Sequence, residues 1–199
     1  FKLEKMVLSM YKVYPIIILA CLLLVMTDTV YSQRVTQTIN DGWKFSLFEG
    51  DASTADFDIS GWTDVSIPHT WNAKDADDEI PGYFRGKGWY RKVVAVEELI
   101  PEQRVYLSFE GANQETNVFV NGTFVGNHKG GYSAFTFDVT DYVHAGRNLI
   151  AVSVDNSHNP DIAPLSADFT FFGGIYRDVY LVYTSPVQLS TTHYASSGV

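Results

Sequence analysis

Cysteine is almost absent: Cys21 is the only one, and none follows it. That excludes both a disulfide framework and a thiolate metal site from the body of the chain. Positive charge is scarce too, with 14 Lys and Arg against 23 Asp and Glu and a net charge of −9. Nucleic-acid binding calls for a basic patch, so this balance argues against it, and it disfavours adhesion to an anionic membrane surface. No apolar run approaches the length of about 20 residues that a membrane-spanning helix needs. No segment sustains a helical hydrophobic period. What is present is aromatic and apolar, at 15% and 46% of the residues, and excludes a disordered chain.

The one apolar run, residues 16–26, follows Lys12 and leads into the polar "TDTVYSQ". This is the layout of a secretory signal peptide, so residues 1–32 are expected to be removed after Ser32 and the protein to be periplasmic or secreted. A start at Met10 gives a conventional signal, with residues 1–9 as an upstream extension. Cys21 in "ILAC" faintly resembles a lipoprotein box, but the apolar run continues through Leu22 to Met26, which reads as an ordinary cysteine of the signal.

The rest alternates with period two. "WKFSLFEG" puts Trp43, Phe45 and Leu47 in phase, and "RVYLSFEG" does the same for Val105, Leu107 and Phe109. "WYRKVVAVEE", "NLIAVSVDN" and "GIYRDVYLVYTSP" add further strands, and "VNGTFVGNHKGGYSAFTFDVT" reads as strand, Asn121-Gly122 turn, strand, Gly130-Gly131 break, strand. A single helical turn is expected within residues 138–143. Long loops fall at 50–61, 72–88 and 156–172, and loops of that length are often functional. The pattern predicts one all-β sandwich or barrel of one large domain.

Five motifs in order, "WKFSLFEG", "IPHTW", "GWYRK", "VFVNGTFVGNHKGGYSAFTFDVT" and "GGIYRDVYL", resemble the N-terminal sugar-binding domain of family 2 glycoside hydrolases. That family contains β-galactosidases, β-glucuronidases and β-mannosidases. The resemblance covers residues 35–186 and implies a jelly-roll β-sandwich of the galactose-binding type over 33–186. It implies that 187–199 begin an immunoglobulin-like sandwich, and that a barrel beyond this chain carries two catalytic glutamates. Those enzymes retain configuration with one carboxylate as acid/base and the other as nucleophile. The chain alone is therefore expected to be inactive, with no catalytic residue and no cofactor of its own.

For substrate binding the resemblance singles out Asp168, five residues before "GGIYRD". In the galactosidase and glucuronidase branches an aspartate at this offset accepts a hydrogen bond from a hydroxyl of the terminal sugar, as an ionised carboxylate does strongly. Without the resemblance Asp168 reads as a solvated loop acid or a turn cap. Tyr83 and Phe84 are expected at the mouth of the site, whereas Trp71 and Trp89 read as packing residues. Asp75, Asp77, Asp78 and Glu79 have the oxygen ligands calcium takes, yet a solvated acidic loop explains them better, and no metal site is expected. The histidines at 69, 128, 144, 158 and 193 share no ligating spacing. Arg177 and Asp178 read as structural, and the sequon at Asn121 as a turn.

Expected partners are thus a carbohydrate, a terminal β-galactoside or β-glucuronide, and the remaining domains of the same enzyme, with β-galactosidase as the leading activity. A freestanding carbohydrate-binding module is the alternative, and a non-sugar interaction domain a third, since fold alone does not give function.

Overall fold

The computed structural model describes residues 34–75, 82–166, 169–190 and 192. The proposed signal segment with Cys21, the acidic residues Asp77, Asp78 and Glu79, Asp168 and His193 lie outside the described residues.

In chain order the strands are β1 (Arg34–Thr38), β2 (Trp43–Leu47), β3 (Thr63–Val65), β4 (Lys87–Val96), β5 (Arg104–Phe109), β6 (Glu115–Val120), β7 (Thr123–Lys129), β8 (Phe135–Asp138), β9 (Gly146–Asp155) and β10 (Val179–Thr184). They form a four-stranded sheet, β1-β10-β5-β8, and a six-stranded sheet, β3-β2-β4-β9-β6-β7. This is the all-β sandwich that the alternation predicts, and the expected helical turn is a 3-10 turn at Thr140–Tyr142.

The alternation works as the period-two rule requires. In β6, Thr116, Val118 and Val120 are buried and the residues between them are not fully so. Across the other sheet, Val179 faces Phe109 and Leu181 faces Leu107 in an antiparallel ladder. These side chains meet Trp43, Tyr90, Ile150 and Val152 in one core between the sheets.

The central strand β9 is buried on both faces over Ala151–Val154. The reason is a second, smaller apolar cluster on the outer face of the six-stranded sheet, where Ala52, Trp89 and Ala151 pack with Phe57, Trp62 and Phe119. The segment between β2 and β3 folds over this face and is pinned by Trp89 Nε1 donating to Gly50 O at 3.0 Å. Trp89 is therefore a packing residue, as expected, but in this outer cluster. Trp71 packs against the main core, stacked on Phe45.

The hairpin forms at Asn121-Gly122, with φ of 52° and 82°, the left-handed values that a type I′ turn demands. Asn121 Nδ2 donates to Tyr142 O and to Asn148 Oδ1, both at 2.9 Å, so this asparagine holds the turn. A register shift between Val118 and Phe119 then sets Phe124 opposite Phe119 on the outer face, where it is exposed.

Two strands escape the sequence pattern. Every residue of β1 is exposed, and β3 has three residues, so neither shows alternation. The last strand starts at Val179, later than "GIYRD" implies: Gly174 (φ 121°) makes an isolated bridge to Asn113, and Ile175 O accepts from His69 N in a loop.

Candidate functional site

β9 ends and β4 begins at the same end of the sandwich, since Lys87 pairs with Asp155. There, three buried asparagines from three separate segments converge on the backbone. Asn72 and Asn156, 2% and 1% exposed, both donate through Nδ2 to the carbonyl of Phe84, at 2.7 and 3.3 Å. Asn72 Oδ1 accepts from Gly173 N at 2.6 Å, Asn156 Nδ2 donates to Phe171 O at 3.1 Å, and Asn113 Nδ2 donates to Phe172 O at 3.0 Å. Three successive residues, 171 to 173, are thus each gripped by an asparagine side chain. Asn156 Oδ1 also accepts from Gly86 N at 2.9 Å, which ties the foot of β4 to the same network.

Gly173 is needed for this approach, because a Cβ there would fall inside the Trp71 ring and crowd Asn156 Nδ2. The Trp71 indole N–H beneath is buried and has no hydrogen-bond partner among the described residues.

Above the polar base the side chains are aromatic. Arg85 lies with its guanidinium carbon 4.8 Å from the Tyr83 ring centre and 5.3 Å from that of Phe171, a cation held between two π faces. It also hydrogen-bonds the Tyr83 hydroxyl. Phe169 packs on Phe171, with ring centres 5.3 Å apart. Outward of these, Phe84, Phe169 and Phe172 are 49%, 52% and 47% exposed. Tyr132 is exposed as well; partial burial raises its hydroxyl pKa, with the nearby Tyr176 and Tyr83 acting in the same direction.

Of the residues singled out from the sequence, Phe84 is therefore at an open rim, and Tyr83 is half-buried with its hydroxyl engaged by Arg85. Asp168 is outside the described residues, between the foot at Asn156 and the foot at Phe171. Asp75 braces the loop: its Oδ2 accepts from Asn72 Nδ2 and from Phe84 N, both at 2.7 Å. Among the described residues no group of three His, Cys, Asp or Glu could hold a metal.

Three of the histidines are tied into the fold, and His158 is exposed. His69 bonds Tyr90, His128 stacks on Phe135, and His144 N donates to Asn148 Oδ1. Asp178 likewise accepts from Asn40 Nδ2 at 2.9 Å and from the Tyr180 hydroxyl at 3.0 Å.

The asparagine network was missed by sequence reasoning. The sequence contexts of the three asparagines, "TWN", "GAN" and "VDN", share no pattern that marks them.

Chemically this end can bind: exposed rings suit the apolar face of a sugar, and the base beneath them is fixed. Known proteins resemble this chain over most of its length. Residues 36–186 match the family described as glycosyl hydrolases family 2, sugar binding domain. A β-glucuronidase of Bacteroides fragilis is 38% identical over 181 residues, which are 89% of this chain and 25% of that protein. A β-galactosidase of Thermoanaerobacter pseudethanolicus is 37% identical over 80% of this chain and 21% of that protein. The crystal structure of a Bacteroides uniformis β-glucuronidase superposes with a TM-score of 0.76 and 44% identity, covering 82% of this chain and 19% of that one. The chain spans a quarter or less of the length of these relatives. With its sandwich, its motif order and this match over most of its length, the chain belongs to glycosyl hydrolase family 2, through that family's sugar-binding domain.

Proposed function

We propose that this chain is the N-terminal sugar-binding domain of an exported glycosidase that removes a terminal β-linked sugar with retention of configuration. The observation that carries this reading is the open end of the sandwich, where exposed Phe84, Phe169 and Phe172 stand over a rigid polar base. Asp168 supplies the hydrogen-bond acceptor for a sugar hydroxyl, and Tyr83 and Phe84 line the approach. The two catalytic carboxylates belong to a barrel outside this chain, and hydrolysis by such a pair calls for no cofactor.

Within the class we favour a terminal β-glucuronide over the β-galactoside that the sequence alone put first. The support is that the similar proteins from Bacteroides fragilis and Bacteroides uniformis are β-glucuronidases; the Thermoanaerobacter β-galactosidase supports the other sugar. The partners are then the sugar and the other domains of the same enzyme, and cleavage after Ser32 delivers the protein to the periplasm or beyond.

The test is to assay the full-length enzyme on nitrophenyl β-glucuronide and nitrophenyl β-galactoside. A kcat/KM at least about tenfold higher for the glucuronide, equivalent to about 1.4 kcal/mol of transition-state discrimination, supports the reading. The reverse order replaces glucuronide by galactoside, and turnover of neither overturns it.

A further inference from the structure

We propose that Asn72 and Asn156 are positioning residues for sugar recognition, setting the spacing between Phe84 and the 169–172 segment across the end of the sandwich. The inference rests on the reading that this end faces the sugar.

One carbonyl is the hinge of the argument. Phe84 O accepts from both asparagines, while the same two side chains hold Gly173 N and Phe171 O. Two loops distant in sequence are thereby joined through main-chain atoms. The two amides also meet each other, with Asn156 Nδ2 at 3.3 Å from Asn72 Oδ1. Arg85, between the Tyr83 and Phe171 rings, bridges the same two loops through side chains.

Core packing does not explain why these loops are held so firmly. Phe84, Phe169 and Phe172 are each left about half exposed, so the network fixes the backbone beneath side chains that the fold only partly buries. A buried amide is tolerated only with its bonds made, and here those bonds all end on the segments that carry the exposed rings or on Asp75 and Gly86. A rigid backbone under a binding side chain lowers the ordering cost of binding.

The fold contains its own control. Asn148 is fully buried and equally well bonded, to His144 O at 2.7 Å, His144 N at 2.9 Å and Gly146 O at 3.1 Å. It closes a turn at the start of the ten-residue strand β9, whereas Asn156 follows the end of that strand, about 26 Å away at the rise of an extended strand.

The experiment uses the full-length enzyme carrying Asn72→Asp, Asn156→Asp or Asn148→Asp, assayed on its nitrophenyl glycoside well below each variant's melting temperature. Asn72→Asp keeps the acceptor for Gly173 N and sets an oxygen against both the Phe84 carbonyl and the Asp75 carboxylate. We expect KM to rise about tenfold or more in the Asn72 and Asn156 variants, with kcat held within about threefold, the signature of lost ground-state binding. Asn148→Asp should lower the melting temperature and leave KM at the wild-type value. Wild-type KM in Asn72→Asp, or an equal rise in Asn148→Asp, overturns the proposal. Asn72→Asp decides the matter if Asn156→Asp does not fold, and Asn156→Asp if Asn72→Asp does not. Asp168→Asn separates the two levels of inference. If it lowers kcat/KM while the asparagine variants are silent, only the positioning role is lost. If it is silent too, the reading of this end as sugar-facing falls as well.

Discussion

His69 Nδ1 lies 2.8 Å from the hydroxyl of Tyr90, a contact between the loop after β3 and the centre of β4. Tyr90 is fully buried, and burial pushes its pKa up, so its hydroxyl stays protonated and shares a hydrogen bond with the neutral imidazole. Tyr90→Phe leaves that nitrogen without its partner inside the fold. An unmade buried hydrogen bond costs about 1–3 kcal/mol, so a loss of that size is expected in denaturant unfolding.

The same pair gives a pH dependence. Burial lowers the pKa of His69, so the folded protein binds this proton less readily than the unfolded chain does. Stability is then complete above the unfolded histidine value of about 6.5 and declines as pH falls from there toward the lowered folded value. His128 is also lowered by burial and acts with the same sign. His69→Phe should therefore reduce, without abolishing, the rise in unfolding free energy between about pH 5 and 6.5. An unchanged slope in that variant contradicts the assignment.

The outer cluster makes a local prediction. Trp89 is the main apolar support beneath the segment joining β2 to β3, and its indole N–H holds Gly50 O. Trp89→Ala removes both, and buried Trp→Ala changes cost about 3–5 kcal/mol. The loss should appear first as faster amide exchange and proteolytic nicking at residues 50–61, ahead of the β5 and β10 core. Uniform exchange throughout the sandwich would instead make Trp89 part of a single cooperative core.

Much of this fold is legible in the sequence for one physical reason: period-two alternation marks strands with one buried face, as in β5 and β6. β1 has no buried face, and its existence depends on hydrogen bonds to β10, which no local pattern encodes. The second burial of Trp89 and Ala151 depends likewise on where a distant loop comes to rest. At the site the exposed rings can be suspected from composition, but Asn72, Asn113 and Asn156 cannot. A buried asparagine and a surface asparagine are the same letter, and only the folded backbone shows that Phe84 O, Phe171 O and Gly173 N converge on them.

The Asn121-Gly122 turn offers a clean test of a backbone requirement. Gly122 sits at φ 82°, and a Cβ there would meet only the Thr54 Cα at an ordinary 3.8 Å, so a substitution meets conformational strain and no clash. Gly122→Ala is expected to cost about 1–2 kcal/mol from the left-handed backbone alone. Gly122→Asn, which tolerates that region better, should recover part of the loss. Equal melting temperatures for wild type, Ala and Asn would show that the turn is not held in this conformation.

The last prediction concerns Asp168, which lies between two described feet joined by the 3.1 Å bond from Asn156 Nδ2 to Phe171 O. On the proposed reading its carboxylate accepts a hydrogen bond from a sugar hydroxyl, and a bond to a charged group contributes about 1.5–3 kcal/mol. If the bond strengthens in the transition state, Asp168→Asn in the full-length enzyme lowers kcat/KM by about 10- to 100-fold, at 1.36 kcal/mol per decade. The amide keeps the volume of the carboxylate, so no cavity is made and the melting temperature should change little. Asp168→Ala should be at least as damaging to activity and as silent in melting. Wild-type kcat/KM in the Asn variant removes Asp168 from the site. A drop of more than a few degrees in melting temperature assigns it to a structural cap, because a group that binds only sugar has no partner to lose when the sugar is absent.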